Sequence, residues 1–137
     1  MKHWFSLFLS GLAGLVIGMV LVALLVTAAP QTGAASSNAN GEPAVHMTAD
    51  HFAQNVVLLP KGSKLLIVSD SSVEHILQNG AWDANGTPHA LVESGAPLLQ
   101  HAAITGGSQK IGPFTTAGVY HIYCTIHRGM NLTIVVE

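Results

Sequence analysis

The sequence predicts an all-β domain, a sandwich or barrel of short strands, that follows an apolar N-terminal segment. After the first third of the chain, apolar runs of about four to six residues, rich in Val, Ile and aromatic side chains, alternate with turn-forming residues. No long stretch of this part has the periodicity of an amphipathic helix. By contrast, no residue from Trp4 to Pro30 is charged. The sequence therefore predicts two parts, an uncharged apolar segment and a β domain that follows it.

The composition narrows the classes of protein that the chain can represent. Charged residues make up only 9% and hydrophobic residues 49% of the 137 residues, a composition that argues against an intrinsically disordered protein. Five Lys and Arg against seven Asp and Glu exclude a basic nucleic-acid-binding surface. The single cysteine excludes an intrachain disulfide and a zinc site built from several cysteines. Eight histidines in so short a chain are a first indication of metal binding.

Residues 1–29 are predicted to form a membrane anchor or a signal segment. Their uncharged run exceeds the ~20 apolar residues that a bilayer-spanning helix needs. Lys2 is the only charged side chain ahead of it, so the positive-inside rule places the N-terminus in the cytoplasm. Small residues at 26–28 leave cleavage open as an alternative. Either way the following domain is expected to be extracytoplasmic, in the periplasm or at the cell surface, and an uncleaved segment anchors it in the cytoplasmic membrane.

The next segment, residues 30–43, is predicted to be a flexible linker. It is rich in Gly, Ala, Ser and Asn and carries one charge. The domain itself is therefore expected to cover residues 44–137.

Strands are predicted where apolar runs lie between turn formers. Residues 81–109 are the least regular part, in which 90–92 and 98–104 are each compatible with a strand or a short helix. A run of serines and an aspartate at 69–72 is expected to end a strand. The predicted strands are 56–59, 64–68, 74–77, 119–123 and 132–136, the last with clear period-two alternation.

The candidate functional residues lie in one short stretch, Cys124-x2-His127-x2-Met130. A tight loop between two strands can direct a thiolate, an imidazole and a thioether toward one point. His75, at the start of an apolar strand, is the candidate for a fourth ligand. Two imidazoles, a thiolate and a weak thioether form the ligand set of blue-copper electron-transfer sites. The sequence therefore predicts a mononuclear copper site.

The same residues carry a resemblance to a known family. The stretch GPFTTAGVYHIYCTIHRGMNLTIVVE, and upstream VVLLPKGSKLLIVSDSSVEHILQ, resemble the cupredoxins, the small blue copper proteins. The resemblance implies a Greek-key β-sandwich of two sheets with copper near one end. It implies His75, Cys124 and His127 as equatorial ligands and Met130 as the axial ligand, in a short, amicyanin-like loop.

Two positions depart from the family pattern. Family members often carry Asn just after the first histidine, where it links the two ligand-bearing loops, but this chain has Ile76. A Pro is common after the second histidine, and here the residue is Arg128, which adds a cation beside the site.

Other assignments compete with the metal site. A lone cysteine is more often a buried small hydrophobe than a ligand, and a lone histidine is more often structural. His121 should face away from Cys124 on an alternating strand, whereas His89 and His101 are close enough in sequence for a weak second site. Trp82 is compatible with a place near the copper end or with capping the sandwich. His46 and His51 also have no ligand context, and His3 flanks the apolar N-terminal segment and is assigned to the membrane interface.

The function implied by the resemblance is one-electron transfer by type 1 copper that cycles between Cu(II) and Cu(I). The implied partners are redox proteins such as cytochromes or membrane electron-transfer complexes, with no nucleic acid and no small-molecule substrate. A copper-binding protein for delivery, storage or sensing is the alternative. An enzyme is disfavoured because related copper enzymes need additional copper, and a nucleophilic Cys124–His127 pair lacks a recognisable orienting Asn or Asp.

Overall fold

A computed structural model describes residues 36–137 of the chain. Every regular element of this part is a strand, which confirms the all-β prediction. Among the described residues there is no helix with the length and apolarity needed to cross a membrane. The predicted anchor or signal segment at 1–29 lies outside the described residues.

Eight strands form one barrel-like sheet in which the fourth strand is central. The main path runs β1-β2-β4-β7-β8-β3, and β5 and β6 pair with β4. The β2–β4 and β3–β8 pairs are parallel, whereas the other pairs are antiparallel. The strands are β1 Ser36–Ser37, β2 Pro43–Met47, β3 Val56–Leu59, β4 Leu65–Trp82, β5 Pro88–Ala90, β6 Ala102–Ile111, β7 Gly118–Cys124 and β8 Asn131–Val136.

Strand β4 is a single strand of 18 residues, so the predicted end at 69–72 is wrong. Its register with β6 shifts between Ser69 and Glu74, which marks a β-bulge. A bulge bends a strand without ending it, and the Ser69 hydroxyl donates to the Ser71 carbonyl across the bend at 3.0 Å. Before the bulge β4 pairs with β2, and beyond it β4 pairs with β7. The bend therefore carries the chain from one part of the sheet to the other.

The core is built by alternation along the strands. On β8, Leu132, Ile134 and Val136 are buried and their neighbours are partly exposed. Successive side chains of a strand point to opposite faces, so one face of β8 supplies the core. On β7 the same alternation buries Tyr120, Ile122 and Cys124, so the cysteine belongs to the inward face. The strands predicted at 119–123 and 132–136 are thus confirmed with small changes at their ends.

Two segments differ from the sequence prediction. Ser36 pairs with Ala44 and Ser37 with Pro43, so residues 36–43 form a hairpin with β2 although the sequence assigned them to the linker. The Asn38 side-chain oxygen accepts the Glu42 amide at 2.9 Å and stabilises this turn. Within the irregular segment, β5 and β6 form strands, whereas residues 91–101 contain none.

Candidate metal centre

Three of the predicted ligands meet at one end of the sheet. The candidate ligand atoms of His75, Cys124 and His127 all lie within 4.8 Å of one another. The Cys124 Sγ atom is 3.3 Å from Nδ1 of His127. The two imidazole rings are tilted by 55°, with their centroids 4.8 Å apart. Among residues 36–137 no other group of three His, Cys or acidic residues is placed to hold a metal ion.

The register of β4 and β7 brings His75 and Cys124 together. Cys124 is the cross-strand partner of Leu77, which follows His75 by two residues on β4. Residues two apart on a strand share a face, and directly opposed residues of an antiparallel pair do as well. All three side chains therefore point inward, and each is fully buried.

The loop that follows β7 closes on itself and supplies the other two candidate ligands. The Cys124 amide donates to the Met130 carbonyl at 3.0 Å, and the Met130 amide donates to the His127 carbonyl at 3.1 Å. Gly129 has a φ of 78°, a left-handed conformation that glycine adopts without strain. Met130 is buried, while His127 is half-buried. The loop thus turns one candidate ligand toward the surface and one into the core.

A backbone contact links this loop to the strand that carries His75. The Thr125 amide donates to the Ile76 carbonyl at 2.8 Å. The two ligand-bearing segments are therefore joined although the family's usual Asn is replaced by Ile76. The contact is between backbone atoms and needs no particular side chain, so it could not be predicted from the residue types.

The His75 ring has no hydrogen-bond partner. Both of its nitrogens are buried, and neither makes a hydrogen bond within the described chain. Burial is the main cause that lowers the pKa of His75, and the His127 charge lowers it further, while the nearby Thr48 carbonyl acts in the opposite direction without completing a hydrogen bond. The ring is thus held in its neutral form, which is the form that binds metals. Orphaned buried polar atoms cost stability, and a metal ion here would satisfy one of them.

The chemistry of the donors fits copper. A thiolate and a thioether are soft ligands that suit Cu(I), and imidazole suits copper in general. Cys124, His127 and His75 supply one such sulfur and two imidazoles, and Met130 closes the same loop. The four predicted residues therefore cluster as a candidate type 1 copper site.

Four of the five other described histidines are paired with acidic residues. The distances are 2.7–3.0 Å, and the pairs are His46 with Asp70, His51 with Asp50, His89 with Asp83 and His121 with Glu93. His89, considered with His101 for a weak second site, is paired with Asp83, and no group of three possible ligands among the described residues includes either histidine.

Two residues beside the site were not assigned a role from the sequence. The Trp82 indole N–H donates to the Cys124 carbonyl at 2.8 Å, which places this tryptophan at the metal end. The Asn131 side chain accepts the Trp82 amide at 2.8 Å and donates to its carbonyl at 3.0 Å. An Asn directly after Met130, at the start of an otherwise apolar strand, is the signal that could have indicated this contact.

Comparison with known proteins identifies the architecture. A Cu(I) form of an amicyanin variant has a TM-score of 0.50 at 20% identity, covering 73% of this chain and 86% of that one. Amicyanin from Paracoccus versutus has a TM-score of 0.51 at 18% identity, covering 69% of this chain and 79% of that one. A purple cupredoxin from Nitrosopumilus maritimus has a TM-score of 0.49 at 22% identity, covering 69% and 98%. No protein-family model and no curated protein matches the sequence. The strand pairing and the two amicyanin structures together show that this chain has the cupredoxin fold.

Proposed function

We propose that the protein is a one-electron carrier that holds a single copper ion with His75, Cys124, His127 and Met130. The observation that carries this proposal is the group formed by the buried Cys124 thiol, the buried His75 imidazole and the half-buried His127 imidazole, whose ligand atoms lie within 4.8 Å of one another. His75 and Cys124 lie on the paired strands β4 and β7. His127 and Met130 lie in the loop after β7, which is closed by backbone hydrogen bonds. Ligands that are held rigidly move little when the bound metal gains or loses an electron, and this suits electron transfer.

Bound copper would supply a Cu(II)/Cu(I) couple. The roles of the protein residues follow from their burial. Cys124 would hold the metal as its thiolate, with its proton released to solvent, and the neutral His75 ring is already in the binding form. Both are fully buried, which keeps water and small molecules away from them. A nucleophilic role for Cys124 is disfavoured for the same reason, because a substrate has no access to its sulfur.

His127 is the candidate ligand nearest to solvent and therefore the proposed point of electron exchange. It is half-buried, and the adjacent Ile126 is 49% exposed. An exposed apolar side chain beside a ligand suits transient docking of another redox protein, since weak electron-transfer contacts are small. Cytochromes or membrane electron-transfer complexes are the proposed partners.

We further propose that residues 1–29 export the domain and that, if uncleaved, they tether it to the cytoplasmic membrane. An anchored carrier remains at high local concentration near membrane-bound partners. Support comes from the uncharged run between Trp4 and Pro30 and from Lys2 ahead of it.

The deciding experiment is optical and electron-spin spectroscopy of the full chain, purified in detergent and titrated with copper(II). We expect one copper per chain, an intense blue thiolate-to-copper band, and reversible bleaching by a one-electron reductant. A colourless complex would refute the site. Rapid transfer of Cu(I) to a chelator, together with slow electron exchange with cytochromes, would instead support copper delivery or storage.

A further inference from the structure

The turn between β4 and β5 lies against the outside of the candidate ligand loop. We call residues 82–88 the β4–β5 hairpin; they run from the last residue of β4 to the first of β5. Nothing in the proposed electron-transfer role requires this hairpin, and none of its residues is a candidate ligand. Its contacts with the loop are nevertheless more specific than packing alone would produce.

The first contact is made by Trp82, which holds both ends of the loop. Its indole N–H donates to the Cys124 carbonyl at 2.8 Å, at the start of the loop. Its backbone amide and carbonyl bind the Asn131 side chain, at 2.8 and 3.0 Å, at the end of the loop. The Trp82 ring also packs edge-on against Tyr123, with the centroids 6.0 Å apart. One residue outside the loop therefore bonds to both of the loop's ends, in addition to the β7–β8 pairing of Tyr123 with Asn131.

The second contact is made in the middle of the loop. The Arg128 guanidinium donates to the Asn85 carbonyl at 2.6 Å. Gly86 leaves the space that this side chain occupies, because a Cβ atom at position 86 would collide with the guanidinium group. Arg128 thus spans from the loop to the tip of the hairpin.

The hairpin is itself well fixed, so it can hold the loop. The Asp83 carboxylate accepts the Asn85 amide at 2.9 Å and the Thr87 amide at 2.8 Å. The hydrogen bond from Thr87 is the main cause that lowers the pKa of Asp83, the hydrogen bond from His89 is the next, and that from Asn85 contributes less. A short Asp-closed turn of this kind is locally rigid.

We propose that the β4–β5 hairpin is a clamp, and that Trp82, Arg128 and Asn131 are positioning residues that hold residues 124–131 in metal-binding geometry before the metal arrives. This inference deepens the proposed copper function. The measurements on copper-loaded protein rest on that function, whereas the measurement on metal-free protein does not. Preorganised ligands need no ordering when the metal binds, so the clamp should slow metal loss and keep the ligand field uniform.

The test compares Trp82→Phe, Arg128→Met and Asn131→Asp with the full-length wild-type chain in detergent. Trp82→Phe keeps the ring and removes the indole donor. Arg128→Met removes an exposed cation and keeps most of its stem, so it leaves the core intact. Lys110→Met is the matched control, because it removes another exposed cation, paired with Glu42 at 2.8 Å rather than with the hairpin.

Two measurements are made on each variant. In the metal-free protein, amide hydrogen exchange of residues 124–131 should accelerate about fivefold for each hydrogen bond removed, while β3 and β8 residues outside the loop exchange as in wild type. In the copper-loaded protein, dissociation of copper to a chelator should accelerate by a similar factor, and the electron-spin spectrum should broaden. Lys110→Met should change neither.

The outcomes separate the two proposals. Unchanged loop exchange in all three variants would overturn the clamp. Faster exchange with unchanged copper dissociation and spectrum would also overturn it, since the hairpin would then be a purely structural support. If wild type never gives the blue spectrum, the electron-transfer proposal fails, and the metal-free exchange still decides whether the hairpin orders the loop.

Discussion

Cys124 and His127 lie three residues apart in the chain, with the sulfur 3.3 Å from Nδ1 of the imidazole. The cysteine ends an inward-facing strand, whereas the histidine belongs to the loop and is half-buried. The Cys124 sulfur therefore lies in the core, and the His127 ring beside it reaches the surface. His75 completes the group from β4, with both of its ring nitrogens unpaired. A thiol, two imidazoles and a nearby methionine in such an arrangement have a direct consequence for spectroscopy.

Replacing Cys124 with Ser should abolish the blue band without unfolding the domain. Ser is slightly smaller than Cys and replaces a soft sulfur with a hard oxygen, which is a poor ligand for copper in this setting. Optical titration with copper(II) measures the colour, and far-ultraviolet circular dichroism checks the fold. A variant that stays blue would show that the thiolate is not the ligand.

Replacing Met130 with Leu should keep the blue colour and raise the reduction potential. The exchange nearly conserves volume and should cost less than ~1.5 kcal/mol of stability. Loss of a weak axial sulfur leaves Cu(II) less well stabilised, and the axial ligand is known to tune the potential of such sites. Met47→Leu is the matched control, because Met47 is a buried methionine on β2 outside the ligand loop. Equal potentials in the two variants, measured by redox titration, would exclude Met130 as the axial ligand.

The last two strands and the loop between them could be predicted from the sequence because their signals are local. Period-two alternation from Leu132 to Val136 sets the inward face, and the Cys-x2-His-x2-Met spacing lies within a single loop. His75 could be put forward from its place at the start of an apolar strand, and the family resemblance implied its role as a ligand, but nothing local shows which strand will lie beside Cys124. Cys124 pairs with Leu77, a residue far away in the sequence, so this pairing is set by the tertiary fold.

The predictions that differ from the structure concern segments whose conformation is set by partners far away. The polar residues at 69–72 look like a strand end, but a bulge absorbs them because β6 pairs with β4 on both sides of it. Residues 36–43 look like linker, but pairing of Ser36 with Ala44 orders them. Trp82 and Asn131 are separated by 49 residues, so the polar Asn131 at the start of an apolar strand indicates a contact without identifying its partner.

The metal-free protein should lose stability as the pH falls below about 6.5. The pKa of His75 is lowered from its usual value of 6.5 in the folded chain, mainly by burial. Below that value the unfolded chain therefore binds a proton that the folded chain does not, and the free energy of unfolding falls with pH until the folded ring also titrates. Denaturant unfolding of metal-free wild type and His75→Gln between pH 5 and 8 measures this effect. The variant should show a shallower pH dependence, and identical slopes would rule out His75 as its source.

Tyr120 should stabilise the domain through one hydrogen bond at the start of β7. Its hydroxyl donates to the Thr116 carbonyl four residues upstream at 2.8 Å, while its ring is buried against Phe114 with the centroids 5.8 Å apart. An arrangement of this type, the tyrosine corner, fixes the entry of the chain into a strand in β-sandwiches. Tyr120→Phe keeps the ring and removes only the hydroxyl, so it should lower the free energy of unfolding by about 1 kcal/mol. For a domain of this size that corresponds to a decrease in Tm of about 4–8 °C.

Thr116→Ser is the control, because it retains the backbone acceptor and should leave Tm unchanged. The hydrogen bond would have no stabilising role if Tyr120→Phe and Thr116→Ser melted at the same temperature.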